Sequence, residues 1–272
     1  MTDAATRATP GAPTVGEPSV LRVTWVIALR GLRRMRRRPS LFIPTVIMPT
    51  FFVITFTGSF SGITDVPGYG TDNAFNWMTA YAILQGASFA GVGAAGMTAE
   101  DIENGFFDRM LLAPGPRWIL LLGPIAYSIV RSAIPSTIVL LVAFVVGGAD
   151  MPGGAPGILM VYLAAAGTSV VFGLLATNVV YIGRSQRSLL AVQVPVFGLL
   201  FLSTGQVPLS FQTGWLHAVA SVNPVTKILE TARQGFLGEV TWSATWPGLT
   251  AIVVLASVLS VLAVRRLRSF AP

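Results

Sequence analysis

Cysteine is absent from this 272-residue chain. That excludes a disulfide framework, a thiolate nucleophile and a cysteine metal site. Histidine and lysine each occur once, as His217 and Lys227. One histidine cannot supply the paired ligands of a zinc-hydrolase helix. The lysine follows Pro224-Val225-Thr226, so no G-x-x-x-x-G-K-[ST] loop for nucleotide phosphates exists. Charge of either sign is scarce: 11% of residues are charged, against roughly 25% in an ordinary soluble domain. The scarcity excludes disordered chains, coiled coils and most soluble enzymes.

What is present is apolar, at 53% of residues. A helix of about 20 residues crosses the roughly 30 Å hydrocarbon core, and the chain has room for six such crossings plus loops. Apolar runs predict them at 41–60, 76–98, 127–147, 157–181, 189–206 and 246–264. The expected fold class is an all-α membrane protein whose six-helix transmembrane domain fills 41–268. Residues 1–19, small and polar with Pro10, Pro13 and Pro18, predict a disordered cytoplasmic tail. They carry no apolar core of a secretory signal.

Between tail and first crossing, Leu21, Trp25, Ala28, Leu32 and Met35 recur at helical spacing. Arg22, Arg30, Arg33 and Arg37 fall on another side. Residues 20–38 therefore predict an amphipathic interfacial helix with arginines toward anionic headgroups. In the second crossing, Gly86, Gly91, Gly93 and Gly96 interleave with alanines, a surface suited to close helix packing.

Lysine and arginine sort by segment. Eight precede residue 41, two lie in 99–118, two in 183–188 and three follow 264. The segment 207–245 holds only Lys227 and Arg233. The positive-inside rule then puts both termini and the segment 99–118 in the cytoplasm, and 207–245 outside. Arg131 falls near the cytoplasmic end of the third crossing, where it is expected to snorkel to headgroups. Residues 207–245 predict short amphipathic helices, with Lys227, Glu230 and Arg233 along one solvated face.

The expected crossings contain no Asp or Glu, so no carboxylate relay for ion coupling lies within them. If this chain moves a solute, its energy comes from a separate subunit. An intramembrane enzyme or a scaffold is the alternative of a different class. It would need one of Ser128, Ser132, Ser136 or Ser169 activated by His217, which is expected outside as a structural interfacial residue.

The acidic segment Glu100, Asp101, Glu103, Asn104, Gly105, Phe106, Phe107, Asp108 and Arg109 runs on through Leu111, Pro114, Gly115 and Pro116 to Arg117 and Trp118. It resembles the cytoplasmic loop of type-2 ABC exporter permeases, above all the daunorubicin-resistance-like drug exporter subunits. Glu100, Gly105, Leu111, Pro114, Arg117 and Trp118 fill that pattern, from which Gly115-Pro116 departs. Downstream, Pro208, Trp215, Leu216, Asn223, Pro224, Arg233 and Gly238 resemble the family's external segment before its last helix. The resemblance covers about 20–268.

That resemblance implies a multi-pass permease of the bacterial inner membrane, paired with a second permease copy or a paralogue. Two copies of a separate ATPase would hold the ATP and Mg. This chain itself would carry no cofactor, no metal and no catalytic residue, and would have no nucleic-acid partner. Residues 100–109 would be the ATPase-coupling element, with exposed Phe106 and Phe107 as apolar contacts, beside membrane lipid. The implied cargo is an amphiphilic drug-like or lipid-like molecule; a polysaccharide or glycolipid is the alternative. The substrate-binding residues stay unassigned.

Overall fold

The most buried long helix of the molecule is one that falls short of the hydropathy of a membrane crossing. In the computed structural model, which describes residues 19–112 and 116–270, α3 (Ala74–Glu103) is a 30-residue helix buried along most of its length. The tail expected at 1–18 lies outside the described residues, as do Pro114 and Gly115. Small residues let neighbours approach α3 closely. A Cβ at Gly91 would run into the backbone of Ser169 and Gly173, so α3 touches α6 (Gly154–Gly183) almost backbone to backbone. Gly86 lies between Pro135 of α5 (Ile119–Val145) and Pro49 of α2 (Ile43–Phe60).

α3 starts at Asn73, whose side chain accepts from the Phe75 N–H at 2.8 Å. The same side chain donates to the Gly147 and Gly148 carbonyls just beyond α5, at 3.0 and 2.9 Å. One asparagine thus begins one helix and satisfies the carbonyls that the end of another leaves free.

All regular structure among the described residues is helical. Besides these elements the order comprises α1 (Val20–Arg37), α4 (Phe106–Leu111), α7 (Leu190–Phe201), α8 (Gly214–Val222), α9 (Pro224–Leu237) and α10 (Trp242–Arg268). Four helices are long and apolar enough to cross a membrane: α2 with its short 3₁₀ continuation to Asp65, α5, α6 and α10. Their outward side chains, among them Ile47, Phe51, Leu141, Leu159, Val254 and Val258, are exposed, as suits a lipid surround rather than water.

Six crossings were expected, and two fall short of that test for different reasons. α3 is long enough, but buried Asn76, Thr79, Gln85, Ser88 and Thr98 dilute its hydropathy. α7 has 12 residues, about 18 Å at 1.5 Å per residue. Residues 202–206, expected to complete it, form no helix.

The interfacial helix expected at 20–38 corresponds to α1, but its arginines are not all on an outer face. α1 packs on α5, where the Tyr127 ring covers Gly31. Leu21 and Trp25 stay exposed, whereas Ala28 and Gly31 are buried. Arg30 turns inward to Asp101 instead of joining Arg22, Arg33 and Arg37. An opposed carboxylate on α3 holds it more strongly than screened headgroups would.

Candidate functional site

Two ends of the bundle carry the residues singled out from the sequence. At the arginine-rich end, the last turn of α3 bears Glu100, Asp101 and Glu103. Gly105 then turns the chain at φ 66°, the left-handed region where glycine is free of Cβ strain. α4 follows at once. Its Phe107 is buried, with ring centroids 5.9 Å from Tyr181 of α6 and 5.5 Å from Phe270 beyond α10. The expectation of two exposed phenylalanines is therefore corrected. On a one-and-a-half-turn helix lying against the bundle, adjacent residues point apart, and Phe107 takes the inner side.

Phe106 takes the outer side, 39% exposed, with the Arg30 guanidinium 4.6 Å from its ring centre. Leu112 is 86% exposed and Trp118 43%. Asn104, Asp108, Arg109 and Arg117 are exposed around them. The segment 104–118 thus exposes apolar and charged side chains together, on either side of its undescribed residues, and its α4 is seated against α6 and the end of α10.

The acids face inward to this protein's own groups. Arg30 holds Asp101 through both guanidinium nitrogens, and Arg34 pairs with Glu100 and reaches Asp101 at 3.9 Å. Arg38 donates to Glu100 at 3.2 Å. Glu103 accepts from the Gln186 backbone N–H at 2.8 Å and from its side chain at 3.0 Å. Burial lowers the pKa of the Arg34 guanidinium from its ordinary value, and the Asp101 carboxylate opposes that. The three acids thus fasten α3 to α1 and to the turn after α6. Sequence reasoning missed Arg30, Arg34, Arg38 and Gln186 as their partners. The available signal was the pairing of the two densest clusters of opposite charge, 30–38 and 100–103.

Asp101 is the most enclosed of these acids. Asp101→Asn is expected to weaken the hold on Arg30 and Arg34 and cost about 1–3 kcal/mol, as for a charged hydrogen bond lost at a partly buried site. Trypsin cleavage of α1 in the purified protein, at Arg30 and Arg33, should speed up several-fold. Cleavage at the wild-type rate would contradict the clasp.

The opposite end is built around Asn223 and Arg233. Asn223 caps α9, accepting from the Val225 N–H at 2.9 Å, with Pro224 at the first helical position. Its side chain also donates to the Leu199 and Leu202 carbonyls at 2.7 and 2.8 Å, satisfying the end of short α7. Arg233 is buried and not on a solvated face with Lys227 and Glu230, which pair with each other at 3.0 Å. It donates to the carbonyls of Trp77 (3.1 Å), Thr204 (2.8 Å) and Gly205 (3.0 Å) and stacks on the Trp77 ring at 3.8 Å. Its place in the i,i+3 pattern was legible, but the carbonyls that draw it inward come from distant segments. Pro208 is buried, Trp215 exposed. His217 is exposed on α8.

Arg131, expected to snorkel, is 6% exposed. It donates to Thr45 of α2 at 3.3 Å and lies 5.4 Å from the Phe42 ring centre. Thr45 and Phe42 at the start of α2 lie against it, so the side chain turns into the bundle instead of extending along the lipid surface.

The family model for ABC-2 type transporters matches residues 22–237. The chain belongs to the ABC-2 type transporter family. One relative is the "Putative transport permease ycf38" of Pyropia yezoensis, 25% identical over 233 residues, which are 84% of this chain and 78% of that protein. Another is the "Probable multidrug ABC transporter permease YbhR" of Escherichia coli (strain K12), 23% identical over 155 residues, 55% of this chain and 41% of that protein. Within this family, the chain is a multi-pass membrane subunit of an ABC transporter system, and that system has an ATPase partner.

Proposed function

We propose that this ABC-2 chain is the permease half of an ATP-driven exporter in a bacterial inner membrane. Two copies of a separate ATPase, holding ATP and Mg, would dock beneath a pair of permeases, either two of these chains or this one with a paralogue. In this reading α3 and α7 join α2, α5, α6 and α10 in crossing the bilayer, α7 only with the irregular segment after it. Such backbone is tolerated at membrane depth where protein surrounds it. The arginine-rich end, both termini included, faces the cytoplasm.

The observation that carries the proposal is the α3–α4 corner. Its outer surface offers Phe106, Leu112 and Trp118 to a partner, and its inner surface is fastened to α1, α6 and the end of α10. A push on α4 reaches α6 and α10 through Phe107, and reaches α1 through the acids at the end of α3. The cargo proposed is amphiphilic, drug-like or lipid-like. The apolar helices with few charges support that class, as does the naming of the Escherichia coli relative as a probable multidrug permease.

Purified alone, the chain should show no ATP turnover. Reconstituted in vesicles with its ATPase partner, it should form a complex that hydrolyses ATP. Sustained hydrolysis by the chain free of any partner would refute the reading.

A further inference from the structure

A cavity of about 170 Å³ opens at the arginine-rich end between α1, α3, α5 and the start of α2. At its mouth stand exposed Arg38 and Gln186. Its floor is Arg131, whose buried Nε has no hydrogen-bond partner. Gly93 makes room for that guanidinium, since a Cβ there would run into it. Arg34 and Arg38 line the walls against one carboxylate, Glu100. Among the described residues, no carboxylate pairs with Arg131.

A buried arginine without a counter-ion is costly, and at membrane depth it marks a site for an opposite charge. Three guanidiniums around one small space suit a phosphate, whose oxygens accept the paired N–H donors of arginine. About 30 Å³ is one water's share of liquid, so the cavity has room for a phosphate group and not for acyl chains.

We infer that this cavity binds the phosphate of an anionic phospholipid headgroup. Its wall residue Phe42 directly precedes the outward-facing, exposed Ile43 and Ile47 of α2, so the mouth opens where the charged end meets the apolar surface. That is headgroup depth, where basic pockets between helices take anionic lipid. Bound there, the phosphate ties α1, through Arg34 and Arg38, to Arg131 of α5, which takes no part in the Asp101 clasp. The inference holds whatever the exporter carries.

The test uses the full-length chain in phosphatidylcholine bilayers, with the unfolding temperature followed as phosphatidylglycerol is added. Wild type should be stabilised saturably. Arg131→Gln should shift the midpoint about tenfold toward higher phosphatidylglycerol, as expected for a lost charge-assisted contact worth about 1.4 kcal/mol. Arg38→Gln, at the exposed mouth, should shift it several-fold and decides the matter if Arg131→Gln fails to fold. Arg37→Gln removes an exposed charge of the same helix outside the cavity lining and should leave the midpoint within about twofold, which separates a site from general attraction. A second arm adds inorganic phosphate to protein in neutral bilayers. No protection at millimolar concentration supports the headgroup as the source; saturable protection that Arg131→Gln abolishes overturns it in favour of free phosphate. Equal midpoints for wild type, Arg131→Gln and Arg38→Gln would overturn the site altogether.

Discussion

Arg233→Met is expected to be the most damaging single substitution at the end of the bundle opposite the arginine cluster. The guanidinium supplies the donors for the carbonyls of Trp77, Thr204 and Gly205, and its face covers Trp77. Methionine fills similar space but leaves the Thr204 and Gly205 carbonyls buried without that donor, while the Trp77 carbonyl keeps its partner within α3. An unsatisfied buried acceptor costs about 1–3 kcal/mol, and part of the loss is offset because the charge no longer has to be buried. A net loss of about 3–5 kcal/mol is expected, within the range for removing one partner of a buried charged network. In detergent the unfolding temperature should fall by roughly 10 °C, at 2–4 °C per kcal/mol for a chain of this size. Arg233→Lys should recover less than half, because an ammonium has no planar fork to reach carbonyls from separate segments. Lys227→Ala, which breaks only the half-exposed pair with Glu230, should change stability by less than about 1 kcal/mol. An Arg233→Met protein as stable as wild type would show that the clamp contributes nothing.

The second large effect separates two neighbouring phenylalanines. Phe107→Ala empties a buried seat among Tyr181, Leu121, Leu267 and Phe270, and should destabilise by about 3–5 kcal/mol, the usual cost of such a truncation. α4 should come loose from α6 and α10, so ATPase-stimulated transport should fail even where insertion succeeds. Phe106→Ala should leave stability within about 0.5 kcal/mol, as for a surface change. Yet it should weaken capture of the ATPase about tenfold or more, the effect of removing an aromatic from the centre of an interface. Unfolding temperature and co-purification, read on both variants, distinguish seat from contact. If Phe106→Ala retains full ATPase capture, the outer face of α4 is not the docking surface.

Much of the helical framework was legible because long apolar runs and Gly/Pro punctuation mark helix ends directly. α2 begins two residues from the expected 41 and its α-helical part ends at the expected 60. α7 was less legible: the crossing expected to 206 took in Ser203, Thr204, Gly205 and Gln206, and composition alone does not say that the helix stops at Phe201. The stop depends on Asn223, some twenty residues on, whose amide satisfies the Leu199 and Leu202 carbonyls.

The candidate corner was legible as a segment and illegible as a geometry. Gly105, singled out as part of the family pattern, adopts positive φ at the α3–α4 turn. Which of Phe106 and Phe107 faces inward depends on the rotation of a six-residue helix, fixed by Tyr181 and Phe270 from far along the chain. The same holds for the acids: one-dimensional spacing displays Glu100 and Asp101 as a charge cluster, and only packing of α1 on α5 brings arginines 30, 34 and 38 over them.

The central claim is that the ATPase meets this chain at the α3–α4 corner, and site-directed cross-linking tests it most directly. The chain has no cysteine, so single cysteines at Asp108, Leu112, Asp72 and Glu239 report four known places. In the assembled complex, a short thiol cross-linker should join the ATPase to Asp108→Cys and Leu112→Cys, and to neither Asp72→Cys nor Glu239→Cys at the opposite end. Cross-links from Asp72→Cys or Glu239→Cys, with none from Asp108→Cys or Leu112→Cys, would contradict both the docking surface and the orientation proposed for the bundle.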